Sequence, residues 1–279
     1  MKDSTDMPAD KDRELQAARV SLDRALAALK ASNSELDDFV YIASHDLKEP
    51  LRGIHNYAGF IVEDYAEKLD DQGRKWLDGI ARLAKRMEGL IESLLYLSRV
   101  GRVELAFVPT DLDKTLDETV DSLRMLLEQS GAVVVRPAPL PTVRCDRVRV
   151  AEVFRNLIVN GVKYNERPDK EITIGVRDAS ATDGVDLGTP VFFVRDNGIG
   201  IPERHQNQVF TIFKRLHAKD KYGGGTGAGL TIVKKIIERH GGRIWIESEE
   251  GRGATFHFTL GDAVVQHRDD GVRQPAPLS

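Results

Sequence analysis

The chain has 279 residues, a formal charge of −4, and 41% hydrophobic against 30% charged residues, the make-up of a globular protein with room for two domains. The slight negative charge excludes a general nucleic-acid binder, which needs a concentrated basic surface. Cys145, the single cysteine, excludes a disulfide framework and a Cys-based zinc site. No apolar run of about 18 residues is present to span a bilayer, and the polar start lacks a signal-peptide core, so a soluble, cytoplasmic chain is expected.

Leu15, Leu22, Leu29 and Leu36 recur every seven residues, with Ala18, Ala25 and Ser32 between them, which predicts a modest coiled-coil seam. The apolar stripe continues through Val40, Ala43, Leu47, Ile54, Ala58, Ile61 and Tyr65 and breaks at the turn-like run Asp70, Asp71, Gln72, Gly73. A second stripe, Leu77, Ile80, Ala84, Met87, Ile91 and Leu94, completes a long antiparallel helical hairpin. Two helices bury too little alone, so a homodimer closing a four-helix bundle is expected.

Near residues 107–110 the pattern changes, and Thr110 or Asp111 is the expected cap of a helix reaching about Gln129. Short β-branched segments follow at 133–135, 172–176, 191–194, 244–246 and 255–260, with helices expected at 147–164 and 227–239. The expected fold is therefore multidomain, α then α/β. A tail and signal helix span 1–32, a dimeric helical-hairpin domain 33–106, an α/β sandwich 107–262 and a frayed tail 263–279.

The first chemistry lies in the first hairpin helix. His45 falls two residues past Ala43, a rotation of about 200°, and so lies off the apolar face. A neutral imidazole is a nucleophile near neutral pH, and Asp46 can orient the ring and take up its proton. Pro50 removes a backbone hydrogen bond and is expected to bend the helix.

The second chemistry is scattered. Glu152, Asn156 and Asn160 stand at i,i+4 spacing on one helix face, with Lys163 one turn on. Amide oxygens of that pair of asparagines suit a hydrated Mg²⁺, and Lys163 can offset phosphate charge, although a solvated polar face has the same pattern. Asp196 leaves a strand into Asn197-Gly198-Ile199-Gly200, where its carboxylate can accept from an amino group such as that of adenine. The run Gly223-Gly224-Gly225-Thr226-Gly227-Ala228-Gly229-Leu230 enters a helix, and its backbone N–H groups can surround phosphates; a flexible linker is the alternative. There is no Walker-type loop, no G-x-G-x-x-G and no H-E-x-x-H. His267-Arg268-Asp269 matches a eukaryotic-type kinase loop only superficially, without its downstream Asn.

Taken in order, these segments resemble the histidine kinases of bacterial two-component systems, particularly the phytochrome-like branch. His45, Asp46 and Pro50 match the H-box, 156–160 the N-box, 196–200 the G1-box, 210–217 the F-box and 225–230 the G2-box, over roughly residues 33 to 260. The resemblance implies a dimeric phosphoacceptor domain and a Bergerat-type ATP domain. It implies that Asn160, supported by Asn156 and Glu152, ligates Mg²⁺ and that Asp196 recognises the adenine of ATP. Gly198 and Gly200 would shape the pocket, and Lys163 and Tyr164 would line the nucleotide. Gly225, Gly227 and Gly229, in the loop with Thr226 and Leu230, would contact phosphates. Residues 201–224 would form a lid carrying Arg215, which would stabilise the transferred phosphate. His45 would then pass its phosphoryl group to an aspartate of a separate response regulator, because about 20 residues after Leu260 are too few for a receiver domain. The signal is expected from a separate sensory protein or domain. The resemblance departs at Glu49, where the family's phosphatase pattern has Thr or Asn, so phosphatase activity is not expected. A silent phosphate-receiving scaffold and an ATP-domain enzyme of the chaperone or mismatch-repair kind are the rival readings.

Overall fold

The computed structural model describes residues 7–100, 104–214 and 226–261. The chain divides into two units, residues 1–99 and 100–279, each of which is described by itself.

The first unit is a helical hairpin. Helix α1 (Met7–Tyr65) runs unbroken through Pro50, a 3₁₀ turn follows at Ala66–Lys68, and α2 (Asp71–Val100) returns. The break lies at Leu69 and Asp70, and the rest of the expected turn is already helical. Asp70 caps α2 through its carboxylate, which accepts from Gly73 N at 2.7 Å. Ser44, Leu51, Ala58 and Ala84 are buried, and Lys48 bridges to Glu92 at 2.9 Å. Of the rest of the apolar stripe, Val40 and Ala43 are half-buried while Leu47, Ile54, Ile61 and Tyr65 stay exposed, as do Leu22 and Leu29 of the heptad seam.

In the second unit the expected single helix from residue 111 to about 129 is two: α3 (Leu112–Ser122) and α4 (Arg124–Ser130). Asp111 caps α3 by accepting from Lys114 N at 3.1 Å. The interruption has a cause in side chains that bond back to their own helix. Thr115, Thr119 and Ser122 donate to the carbonyls of Asp111, Thr115 and Thr119, and Leu123 N turns to Val120 O at 3.0 Å. A two-stranded sheet not expected from the sequence pairs β1 (Val108–Asp111) with β3 (Thr142–Cys145), antiparallel. Pro109 is tolerated because a two-stranded sheet is all edge.

The main sheet has the order β2-β4-β5-β7-β6, built from β2 (Val133–Val135), β4 (Glu171–Asp178), β5 (Pro190–Asp196), β6 (Ile244–Glu249) and β7 (Gly253–Phe258). β2 joins β4 in parallel; the other pairs are antiparallel. Helices α5 (Arg147–Lys163) and α7 (Gly229–Arg239) pack on each other, and α5 also contacts α3, β4 and β5, which makes the two-layer α/β sandwich. Phe154 of α5 meets Phe258 edge-on at 6.2 Å, Phe258 stacks on Phe192 at 5.5 Å, and all three rings are fully buried. The β7 strand lies two residues earlier than the pattern at 255–260 indicates. A short helix α6 (Glu203–Gln206) follows β5.

The antiparallel pair of α5 and α7 places their opposite ends at two different features. The Asp146 carboxylate caps α5 through Arg149 N at 3.1 Å and also accepts Ala106 N at 3.1 Å. Asp146 N donates to His240 Nε2 at 3.1 Å, while His240 Nδ1 sits 2.8 Å from Ile236 O. Burial holds His240 below its ordinary pKa, so the ring stays neutral, donating from Nδ1 and accepting at Nε2. The other ends of α5 and α7 frame the site described next.

Candidate functional site

His45 lies on the exposed surface of α1, its side chain 73% accessible, with Nδ1 3.4 Å from Asp46 Oδ1. The buried seam formed by Ser44, Leu51 and Ala58 fixes the rotation of α1 and turns His45 outward.

The second unit contains a cleft between the ends of α5 and α7 and the turn that follows β5. It gathers predicted residues from three separated segments: Asn160 and Tyr164 at the end of α5, Asp196 and Gly200 after β5, and Leu230 at the start of α7. Ile199, Val209, Ala254 and Phe256 give it apolar walls. Asp196 supplies the carboxylate. Its Oδ1 accepts from Gly198 N at 2.9 Å and Ala254 N at 3.3 Å, but burial outweighs these bonds and pushes its pKa up to about 6. At neutral pH it remains mostly an anion, an acceptor set in an apolar pocket.

The turn carrying Asp196 is pinned on both sides. Ile199 N donates to Tyr164 O at 3.0 Å and Gly251 N to Ile199 O at 2.7 Å. Asn197 ties it to the start of the neighbouring strand β4 and to the segment after α5, with its Oδ1 accepting from Glu171 N at 3.0 Å and Asn165 Nδ2 at 2.7 Å. Gly198 is required by contact: a Cβ there would collide with Tyr164 O. Gly229 lies where α5 and α7 approach: a Cβ there would come within 2.8 Å of Asn156 Oδ1, so a larger residue would displace that amide.

The remaining predicted residues are less central. Asn156 Nδ2 donates to Glu152 O at 2.9 Å, and neither side chain lines the cleft. Glu152 stands 3.4 Å from Arg149, and burial pushes its pKa up to about 7. Lys163 lies off the cleft with Nζ 5.1 Å from the Tyr164 ring centroid. Thr226 Oγ1 accepts Ala228 N at 3.4 Å, and Gly227 O accepts Phe213 N at 3.1 Å. Arg215 and Gly225 lie outside the described residues, as does the expected tail beyond 262. Among the described residues no cluster of three or more His, Cys, Asp or Glu side chains is arranged to hold a metal. Asn160, an amide oxygen donor at the cleft, is of the hard-oxygen type that suits Mg²⁺.

Sequence reasoning missed Ala254, Phe256, Val209 and Lys214 as cleft residues. Lys214 lies inside the recognised F-box segment, a usable signal. Phe256 read only as a strand residue and Ala254 fell just before the expected strand, and nothing in their spacing distinguishes them.

Two family models match the chain: the His Kinase A phospho-acceptor domain over residues 35–102, and the histidine kinase-, DNA gyrase B- and HSP90-like ATPase domain over residues 145–264. Together they take in more than half of the chain, and it belongs to the sensor histidine kinases of two-component systems. Cyanobacterial phytochrome B of Nostoc sp. is 54% identical over 234 residues, covering 84% of this chain and 30% of that protein. The methanogenesis regulatory histidine kinase FilI of Methanothrix harundinacea is 39% identical over 248 residues, covering 88% of this chain and 27% of its own length. The chain thus spans less than a third of the length of these relatives. The fold is also that of full-length ShkA, solved in complex with AMPPNP, with a TM-score of 0.57 and 23% identity over 80% of this chain and 45% of that one.

Proposed function

We propose that this chain performs the kinase reaction of a two-component sensor: ATP held in the cleft of the second unit phosphorylates His45. The observation that carries this reading is the cleft itself, where an anionic Asp196 set among apolar walls faces the same space as Asn160. Such a pocket suits an adenine, whose ring is apolar on its faces and whose amino group donates at its edge.

A proton on His45 Nδ1, directed to Asp46 Oδ1, leaves the lone pair on Nε2. In this reading Nε2 attacks the γ-phosphorus, an N–P bond forms, the bond to the β,γ-bridging oxygen breaks, and ADP leaves. Asp46 stabilises the developing imidazolium and takes up the Nδ1 proton. Asn160 is the principal residue to hold Mg²⁺, with Asn156 and Glu152 supporting it from the preceding turns of α5; the ion would neutralise phosphate charge. Gly225, Thr226, Gly227, Gly229 and Leu230 are assigned to the phosphate side, Lys163 and Tyr164 to the nucleotide, and Arg215 to the transferred group.

The phosphoryl group then passes to an aspartate on a separate receiver domain. Residues 33–106 serve dimerisation and phosphotransfer, residues 107–262 serve ATP binding, and the coiled-coil segment relays a signal in the cytoplasm. The exposed stripe on α1 supports a homodimer, and among the described residues no helix is long and apolar enough to cross a membrane.

Calorimetric titration of the chain with Mg²⁺-ATP, beside Asp196→Asn and Asn160→Ala, tests the reading. The wild type should bind, and each variant should bind at least about tenfold more weakly, the cost of one lost charge-assisted or metal contact. Equal binding by all three would contradict the assignment of the cleft.

A further inference from the structure

Lys214 is the only cation among the described residues that line the cleft, yet neither its spacing nor the reading above gives it a role. Its side chain is exposed while bordering the cleft, which places it at the rim. A lysine in that position lays its stem on apolar wall and presents its ammonium where the cleft opens.

The backbone holds it there. Phe213 has φ of 61°, the sole positive value among the described non-glycine residues, a conformation that a bulky residue adopts only when its surroundings enforce it. The enforcing contacts are visible. Phe213 N donates to Gly227 O at 3.1 Å, Lys214 N to Thr211 O at 3.1 Å, and Thr231 Oγ1 to Phe210 O at 3.0 Å. Phe210 also packs edge-on against Phe256 of the cleft wall at 6.5 Å. Residues 210–214 are therefore stapled to the start of α7, and Lys214 is set before any nucleotide arrives.

We propose that Lys214 is a nucleotide-affinity residue whose ammonium contacts the phosphates that ADP and ATP share, rather than the γ-phosphate. The inference rests on the adenine-nucleotide reading of the cleft. With the base between the apolar walls, the ribose leads outward, and the first phosphates emerge at the rim beside Lys214. A preset cation at that point strengthens ground-state binding of both nucleotides and therefore does not distinguish ATP from ADP.

Affinities of adenosine, ADP and ATP, measured by competition against a fluorescent adenine nucleotide, test this in the wild type, Lys214→Met and Lys214→Arg. Lys214→Met should weaken ADP and ATP alike by about tenfold, as expected for one charge-assisted contact, and leave adenosine within about twofold. Lys214→Arg should recover most of the loss. An unchanged affinity in Lys214→Met, an equal loss for adenosine, or a loss confined to ATP would overturn the proposal. A wild type that binds none of the three would overturn the reading of the cleft, and this inference with it.

Discussion

The two units solve the problem of burial differently. In the second, α5 and α7 pack on a five-stranded sheet with α3 against α5, and Phe154, Phe192, Phe258, Leu157 and Ile158 are removed from solvent within a single chain. In the first unit, residues 1–99, the described buried apolar residues are few, Leu51, Ala58 and Ala84, while Phe39, Tyr57, Phe60, Trp76 and Leu83 remain exposed. One unit closes its own core. The other leaves an apolar surface exposed, and on our reading a second copy of the hairpin covers it. On that reading the proposed nucleotide cleft is set on a self-sufficient scaffold, and His45 on one whose geometry depends on association.

That contrast is open to direct attack. The largest expected effect is Phe154→Ala, which removes a fully buried ring and should destabilise the second unit by about 3–5 kcal/mol in denaturant unfolding. A matched Tyr57→Ala on the exposed hairpin face should cost less than that, and its cost should rise with the share of dimer, since on our reading only association covers this ring. If the two were equal, the distinction between the units would fail.

Next in size, Leu47→Asp or Ile54→Asp should weaken the homodimer by about 2–3 kcal/mol each in sedimentation equilibrium, because each puts a charge on the proposed seam. Unaltered association would place the dimer contact elsewhere. A third variant, Gly198→Ala, introduces a Cβ that collides with Tyr164 O and must disturb the bond from Ile199 N. It should weaken nucleotide binding by about tenfold in calorimetry while leaving the hairpin's association unchanged.

The smallest effect is in pH. Burial raises the Asp196 pKa from 3.8 to about 6, so its contribution to stability is complete below 3.8 and is lost as pH rises through about 6. His240 runs the other way: its lowered pKa gives stability that is present above 6.5 and is lost as pH falls. Nucleotide affinity, which requires the Asp196 carboxylate as acceptor, should therefore fall severalfold as pH drops through about 6. Calorimetry on wild type and Asp196→Asn checks this, and an equally steep fall in the variant would assign the effect to another group.

Much of this architecture was legible because periodicity survives burial. The hairpin followed from stripes at helical spacing, and all five main strands were marked by β-branched runs. The β1 and β3 strands were not, since four residues with a proline in one of them carry too little pattern. The break at Leu123 depended on Thr and Ser side chains bonding to their own helix, a choice that periodicity does not register. Among the candidate residues, Asp196, Asn160 and Gly200 do meet at the cleft, and they could be singled out because the proposed chemistry restricts the residue type. Ala254 and Phe256 were not, because any strand residue facing the sheet's covered side has the same signature. Lys163 and Glu152 shared the right helix face in the sequence but lie off the cleft, because a helix face is broader than the opening it borders.

The central claim is that ATP bound to the second unit phosphorylates His45 of the hairpin. Incubating the chain with Mg²⁺ and γ-labelled ATP, beside His45→Gln and Asn160→Ala, and testing the retained label for acid lability, examines it most directly. The account predicts an acid-labile label on the wild type that both variants lack. An acid-labile label retained by His45→Gln would contradict it.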